Sequence, residues 1–192
     1  MTAQDELLWI AQAKAGDLQA FEALYNLHKT AIFRTALALT GDRSLAEEIL
    51  QETFLRAFQH LPNVREGVSL SPWLYRVAVN LAYDHSAKRR RKANALGKFI
   101  DWLMPSVPTP ERRLEAQELQ DMIYEAIGRL EFRQRTTLVL FYLQDFSMQE
   151  IARIMDCPVG TVKSRLHYGR QNLRRELLAA ARMPGGLAYE LP

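Results

Sequence analysis

An all-α chain, folded as two small helical domains joined by a flexible linker with a helix-turn-helix in the second, is the class that three observations predict. Apolar residues recur at steps of three and four along most of the chain, as they do in helices that bury one face. Helix-capping residues punctuate these stretches, and nothing reads convincingly as a sheet. Between the two helical regions, residues 93–110 lapse into scattered apolar residues with Pro105, Pro108 and Pro110, the composition of a linker. A length of 192 residues accommodates two such bodies.

In chain order, Gly16 ends a first short helix and Asp17 caps a second. That second helix carries Phe21, Leu24, Tyr25, His28, Ile32 and Leu39 at helical spacing and stops at Gly41. Ser44 with Glu47 forms a capping-box pattern opening a third helix to about Leu61. After a loop containing Pro62 and Gly67, Ser71 is the expected N-cap and Pro72 the first residue of a fourth helix that runs into 88–92. These helices make a first domain over 1–92. In the linker, Phe99, Trp102 and Leu103 leave open a short helix or a contact with a partner. Thr109 and Pro110 cap a helix to about Leu130, and a further one spans roughly 133–143. Ser147 with Glu150 is another capping box, opening a short helix to Met155; the turn Asp156, Cys157, Pro158 follows, then a long helix to about Arg182. The second domain therefore covers 111–182, and the aperiodic tail 183–192 is expected to be disordered.

Charge is unevenly spread. The net charge is only +3, yet 1–60 hold 5 basic and 8 acidic residues, 61–113 hold 10 and 4, 114–156 hold 4 and 8, and 157–192 hold 6 and 2. Each half begins acidic and ends basic, so two concentrated positive surfaces are expected, the electrostatic footprint of nucleic-acid binding. The single cysteine, Cys157, excludes an internal disulfide and a cysteine zinc site and reads as a small buried thiol. No apolar run approaches the roughly 20 residues of a membrane span. The start carries Asp5 and Glu6 instead of a basic region before an apolar core, so a cytoplasmic protein is expected. His28, His60, His85 and His167 form no metal spacing, and no nucleophile with a base and an orienting group recurs. An enzyme, a cofactor and a small-molecule substrate are therefore not expected.

The segment from Phe146, FSMQEIARIMDCPVGTVKSRLHYGRQNLRR, has the layout helix, tight turn, longer basic helix. A small residue, Ala152, suits the close crossing of a helix-turn-helix, and Asp156 tolerates the left-handed backbone that such turns use. Val162, Leu166, Gly169, Leu173 and Leu177 form one inward stripe on the last helix. A glycine inside a helix costs about 1 kcal/mol relative to alanine, so Gly169 on that stripe points to close helix approach. The opposite face then carries Lys163, Ser164, His167, Tyr168 and Gln171, flanked by Arg165, Arg170 and Arg174, with Thr161 at its start; these types bond phosphates and base edges. The run Gly160 to Ser164 is not a phosphate-binding loop, since the first glycine and the preceding strand are missing.

The helix from Pro72 places Leu74, Val77, Ala78, Leu81 and His85 on an inward side. A neighbouring side carries Trp73, Arg76, Asn80, Tyr83 and Asp84, with the basic run 88–92, including Lys88 and Arg89, beyond. Rings that stack on bases, amides for base edges and cations for phosphates suit unpaired nucleic acid. A tryptophan and a tyrosine on a helix more often belong to a core, so the residues alone leave both readings open.

Three stretches together resemble the extracytoplasmic-function (ECF) group of bacterial sigma factors, and the similarity covers nearly the whole chain. AEEILQETFLRAFQHL at 46–61 is similar to that family's helix for the polymerase clamp, SPWLYRVAVNLAYDHSAKRRR at 71–91 to its promoter-melting helix, and EIARIMDCPVGTVKSRL at 150–166 to its minus-35 reader. The resemblance implies core RNA polymerase and promoter DNA, duplex and single-stranded, as partners, and an anti-sigma factor as regulator. It implies that Glu48, Gln51, Glu52 and Leu55 touch the clamp and that Phe141 and Tyr142 dock on the polymerase flap. It also implies that loop 63–70, with Asn63, Val64 and Arg65, joins Asn80 in a pocket for a base flipped from the minus-10 element, where stacking and edge hydrogen bonds must recover the few kcal/mol of extrusion.

The chain departs from the family pattern twice. Tyr168 and Gly169 stand where the family often has Arg-Ala, which puts one expected DNA contact in question, and Val64, Gly67 and Val68 make an individual minus-10 loop. The competing expectation is a stand-alone helix-turn-helix regulator that binds duplex operators by itself. The first domain shows no strands for a receiver module and does carry QETFLRAF and WLYRVAVN, which argue against it.

Overall fold

The computed structural model describes residues 3–65, 67–90, 123 and 125–181, and among these there is no strand. Helix α1 spans Ala3–Lys14, α2 Leu18–Thr40, α3 Arg43–His60 and α4 Ser71–Arg90, with a 3-10 turn at Leu61–Asn63. After helical residues 125–129 come α5, Phe132–Leu138, which widens into a π-helical turn at Val139–Leu143, then α6, Met148–Ile154, and α7, Val159–Ala181. The expected linker 93–110, the Thr109 and Pro110 cap, the helix that it opens as far as 122, and the tail lie outside the described residues, as do the side chains of Lys88 and Arg89.

Most helix ends follow the sequence signals. Asp17 accepts from the backbone N–H groups of Gln19 at 2.8 Å and Ala20 at 3.3 Å, satisfying donors at the start of α2. Gly41, at φ 65°, closes that helix with its N–H on the Leu37 carbonyl, the left-handed conformation that glycine adopts without steric cost. Two caps differ from expectation. Asp42, not Ser44, caps α3 by accepting from Leu45 N at 3.1 Å, and Glu47 pairs instead with Arg43 at 3.0 Å. Aspartate caps as well as serine does, and it stands immediately after the Gly41 turn, so the helix starts as soon as the chain has reversed. Likewise α4 already includes Ser71, and the Ser71 N–H is taken by Ser69 Oγ at 3.1 Å, which moves Pro72 to the second helical position.

Helix α2 lies at the centre of the first group, packed by α1, α3 and α4 around Leu24, Ile32, Leu37, Leu39, Ile49 and Leu74, all fully buried. In the second group α7 crosses α5 and α6 over Leu140, Ile151, Ile154, Val162 and Leu166. The groups also pack directly on each other. Tyr75 on α4 donates its hydroxyl to Gln144 Oε1 at 2.6 Å and meets the Phe146 ring edge to face at 4.7 Å. From α5, Arg135 reaches the Leu39 carbonyl at the end of α2 at 2.7 Å, a favourable place for a cation at a helix C-terminus. This packing explains why α4 buries Tyr75, Val79 and Ala82 along with the predicted Leu74, Ala78 and Leu81, while the predicted Val77 and His85 are only half-buried: the helix has partners on two sides.

Candidate nucleic-acid interface

The duplex-reading candidate is built from its first helix outward. Ser147 Oγ accepts from Glu150 N at 3.3 Å while Glu150 Oε2 accepts from Ser147 N at 2.9 Å and from its hydroxyl at 2.6 Å, a complete capping box. Those hydrogen bonds from Ser147 hold the Glu150 carboxyl below the usual carboxylate range. At the other end Asp156 adopts φ 49° and the Cys157 N–H reaches the Ala152 carbonyl at 3.0 Å, so a left-handed residue and a six-residue hydrogen bond stop the helix and turn the chain. Helix α7 then packs through Val162, Leu166 and Gly169. A methyl group on Gly169 would stand 3.3 Å from the Leu138 side chain of α5, which is the close approach expected of this glycine.

With that stripe buried, Lys163, Ser164, His167, Tyr168, Arg170 and Gln171 are exposed along one outer surface. His167 and Gln171 hold each other at 3.1 Å, and Tyr168 meets His167 edge to face at 5.2 Å. Thr161 and Arg165 are half-buried; Arg165 turns back so that its guanidinium lies 3.4 Å from Cys157 Sγ. Cys157 is therefore half-buried in the turn.

The face of α4 is arranged differently. Asn80 and Asp84 are exposed, but Arg76 pairs with Asp156 of the helix-turn-helix at 3.1 Å. Tyr83 meets Phe132 edge to face at 5.4 Å, with the Arg133 guanidinium 5.9 Å from its ring centre. Trp73 stacks on His60 at 4.6 Å with the planes 3° apart, a partner that the sequence pattern did not single out because it comes from the end of α3. In the loop before α4, Asn63 and Arg65 are exposed. Val64, expected to face DNA, is buried and gives its carbonyl to Lys14 Nζ at 2.7 Å: its apolar side chain completes the core under the loop.

A third surface is acidic and partly apolar, with Glu52 paired to Arg56 of the same helix at 2.7 Å. Glu48, Gln51, Glu52 and Leu55 line one groove with Ile49 of α3 and Leu81 and His85 of α4, and beside them Leu55 and Phe58 stand about half exposed. Neither His85 nor Phe58 was expected here. Phe58 follows Leu55 by three positions on α3, a helical spacing that could have flagged it. Phe141 is half-buried, whereas Tyr142 and Leu143 are exposed beside it.

A helix-turn-helix with a polar outer face, joined to a helical body that carries an acidic, partly apolar groove, defines a DNA-binding protein of transcription. The comparisons with known proteins narrow this class. Residues 24–92 match the Sigma-70 region 2 family and residues 120–173 the Sigma-70, region 4 family. The ECF RNA polymerase sigma factor SigW of Bacillus subtilis is 34% identical over 176 residues, covering 88% of this chain and 94% of the relative. The ECF RNA polymerase sigma factor SigL of Mycobacterium tuberculosis is 35% identical over 171 residues, with 88% and 94% covered. The chain belongs to the ECF sigma factors, which direct RNA polymerase to initiate transcription at promoters and are regulators, not enzymes. Among solved structures, the sigma factor RpoE of Bartonella quintana, determined with the anti-sigma factor NepR, superposes with a TM-score of 0.66 at 25% identity, covering 84% of this chain and 98% of that one. CnrH, determined with the cytosolic domain of CnrY, shares the fold at a TM-score of 0.70 and 23% identity, with 91% and 98% covered. No helix among the described residues is long and apolar enough to cross a membrane.

Proposed function

We propose that the chain divides its promoter work between a domain at 1–92 and one at 111–182, joined by the linker 93–110 and followed by a tail at 183–192. Helix α7 reads the minus-35 duplex through Thr161, Lys163, Ser164, Arg165, His167, Tyr168, Arg170 and Gln171. Helix α4 and the loop before it take the opened minus-10 strand: Asn63, Arg65 and Asn80 meet the flipped base, Trp73 and Tyr83 stack, and Arg76, Lys88 and Arg89 hold phosphates, with Asp84 beside them. The groove of Glu48, Gln51, Glu52 and Leu55 seats the polymerase clamp, and Phe141 with Tyr142 seats the flap. An anti-sigma factor restrains the protein in the cytoplasm, and no cofactor, small-molecule substrate or enzymatic step takes part.

The observation that carries this reading is the separation of two chemistries. The exposed polar and cationic residues of α7 suit a polyanion, whereas the α3 groove, with exposed Glu48, Leu55 and Phe58 and with Glu52 half-buried and paired to Arg56, suits a protein. Because Arg76 and Tyr83 are engaged by Asp156, Phe132 and Arg133, those contacts must exchange for DNA when polymerase binds. The test is transcription in vitro. The protein alone should bind duplex promoters weakly, and added core polymerase should yield initiation at specific sites. Tight, specific operator binding without polymerase would favour the stand-alone regulator.

A further inference from the structure

The loop ahead of α4 is fastened at both ends to a single helix, and that helix is not one to which DNA reading has been assigned. At the near end, Lys14 Nζ of α1 donates to the Val64 carbonyl at 2.7 Å. At the far end, Glu6 of α1, itself buried, accepts on one oxygen from Ser69 Oγ at 3.0 Å and from Leu70 N at 3.0 Å, with His28 Nε2 of α2 at 3.1 Å on the same oxygen. Burial pushes the Glu6 carboxyl up, but the hydrogen bonds from His28, Ser69 and Leu70 outweigh it and leave the group below the usual carboxylate range.

Eight positions separate Glu6 from Lys14, about 12 Å along a helix. Six positions separate Val64 from Leu70, which fully extended would span about 20 Å. Fastened to a rod of that length, the chain between the anchors must bow away from it. Gly67 at φ 72° takes the bend, and Arg65, Gly67 and Val68 are exposed on it. Two charged side chains of α1 therefore set both the height of the bow and the start of α4, on which Asn80 stands.

We propose that Glu6 and Lys14 are positioning residues for the minus-10 loop: the clamp they form from α1 determines how tightly the loop accepts its base, although neither residue touches DNA. This rests on the reading of loop 63–70 as the base pocket. Removing the acceptor from the buried donors around Glu6 costs more than those bonds contribute, and losing Lys14 removes a charge-assisted bond from the part-buried Val64 carbonyl, so either change loosens its end of the loop. Pocket geometry displaced by about an ångström is enough for a tenfold or larger loss of function.

The experiment uses holoenzyme assembled with the full chain carrying Lys14→Met, which keeps the aliphatic stem and removes the donor, and Lys14→Arg, which restores a donor. Glu6→Leu is the stronger variant, but it leaves three donors unmet in the interior; Lys14→Met tests the idea even where that chain fails to fold. Hydrogen exchange at Arg65, Gly67 and Val68 and transcription from templates randomised in the minus-10 element are read together. Lys14→Met should speed loop exchange and lower discrimination among minus-10 bases about tenfold, with polymerase affinity and minus-35 duplex binding unchanged, and Lys14→Arg should recover most of both. Unchanged loop exchange in Lys14→Met overturns the clamp. Faster exchange with unchanged base discrimination overturns the positioning role alone; the assignment of the loop as the pocket fails separately, if Asn63→Ala also leaves minus-10 discrimination unchanged.

Discussion

The two helices proposed to face DNA, α7 and α4, differ in what occupies their polar faces. On α7 the polar contacts are local: His167 holds Gln171, Ser164 Oγ donates to the Gly160 carbonyl at 3.0 Å, and Arg165 reaches Cys157 in the adjoining turn, so among the described residues the outer surface is not engaged by the other helical group. On α4 the cation and the ring are already spoken for: Arg76 by Asp156, Tyr83 by Phe132 and Arg133. A duplex exists before initiation begins, whereas an opened strand does not. A preformed face for the first and an engaged face for the second fit that order of events. Under the proposed assignments, exposure in the isolated chain marks the helix that reads a duplex and understates the one that takes a strand still to be unpaired.

The largest effect expected concerns what orients α7. Leu166 is fully buried on its inward stripe. Leu166→Ala should destabilise the protein by about 2–5 kcal/mol, through lost burial and the cavity left behind, and should abolish minus-35 binding with it. Denaturant unfolding alongside duplex binding tests this. A stability change below about 0.5 kcal/mol would mean that the stripe does not hold the face in place.

Next comes the face itself. Lys163→Ala with Arg165→Ala is expected to lower holoenzyme affinity for the upstream element about tenfold to a hundredfold and to flatten its salt dependence, while leaving polymerase binding intact. Lys163 should carry the larger share, since Arg165 is half-buried against the turn beside Cys157. Promoter choice and affinity untouched by the double change would show that α7 meets DNA by another side.

On the α4 side of the comparison, Asn80→Ala should slow promoter opening about three- to tenfold, as expected for loss of one amide contact to a base, with initial docking unaffected. Permanganate reactivity of the minus-10 thymines reads the opening and gel mobility the docking. Equal impairment of both would make Asn80 a duplex contact and erase the distinction between the helices.

How much of this could be read from the residues alone follows from the range of the interactions. Local signals carried: the Ser147 and Glu150 box, the left-handed Asp156 and the packing face of Gly169 are each determined within a few residues, and each stands where the pattern placed it. Competition between neighbouring signals was harder to rank, as where Asp42 displaces Ser44 as the cap of α3. Contacts between the halves left no local trace. Nothing in the spacing of α4 announces that Tyr75 reaches Gln144, 69 positions away, or that Arg76 finds Asp156, 80 positions away. The burial of Val64 was missed for the same reason, because its neighbour Lys14 lies 50 positions upstream.

The smallest expected effect is also the sharpest test of whether the α4 face is held within the molecule. Asp156→Asn removes the charge opposite Arg76 while keeping a residue type that tolerates the left-handed turn, so the helix-turn-helix itself should persist. Both partners are largely exposed, and such pairs contribute between zero and about 1 kcal/mol, so unfolding should shift by no more than a few tenths of a kcal/mol. The informative change is in binding. Relieved of Asp156, Arg76 is available to a phosphate, and affinity for a single-stranded minus-10 oligonucleotide should rise about twofold at low salt, a gain that fades as screening shortens the reach of both interactions. Arg76→Ala should move the same affinity the other way. Opposite signs in the two variants mean that one guanidinium exchanges an internal carboxylate for DNA. Equal signs, or no change in either, would place the strand elsewhere and leave the ion pair a simple surface contact between the two helical groups.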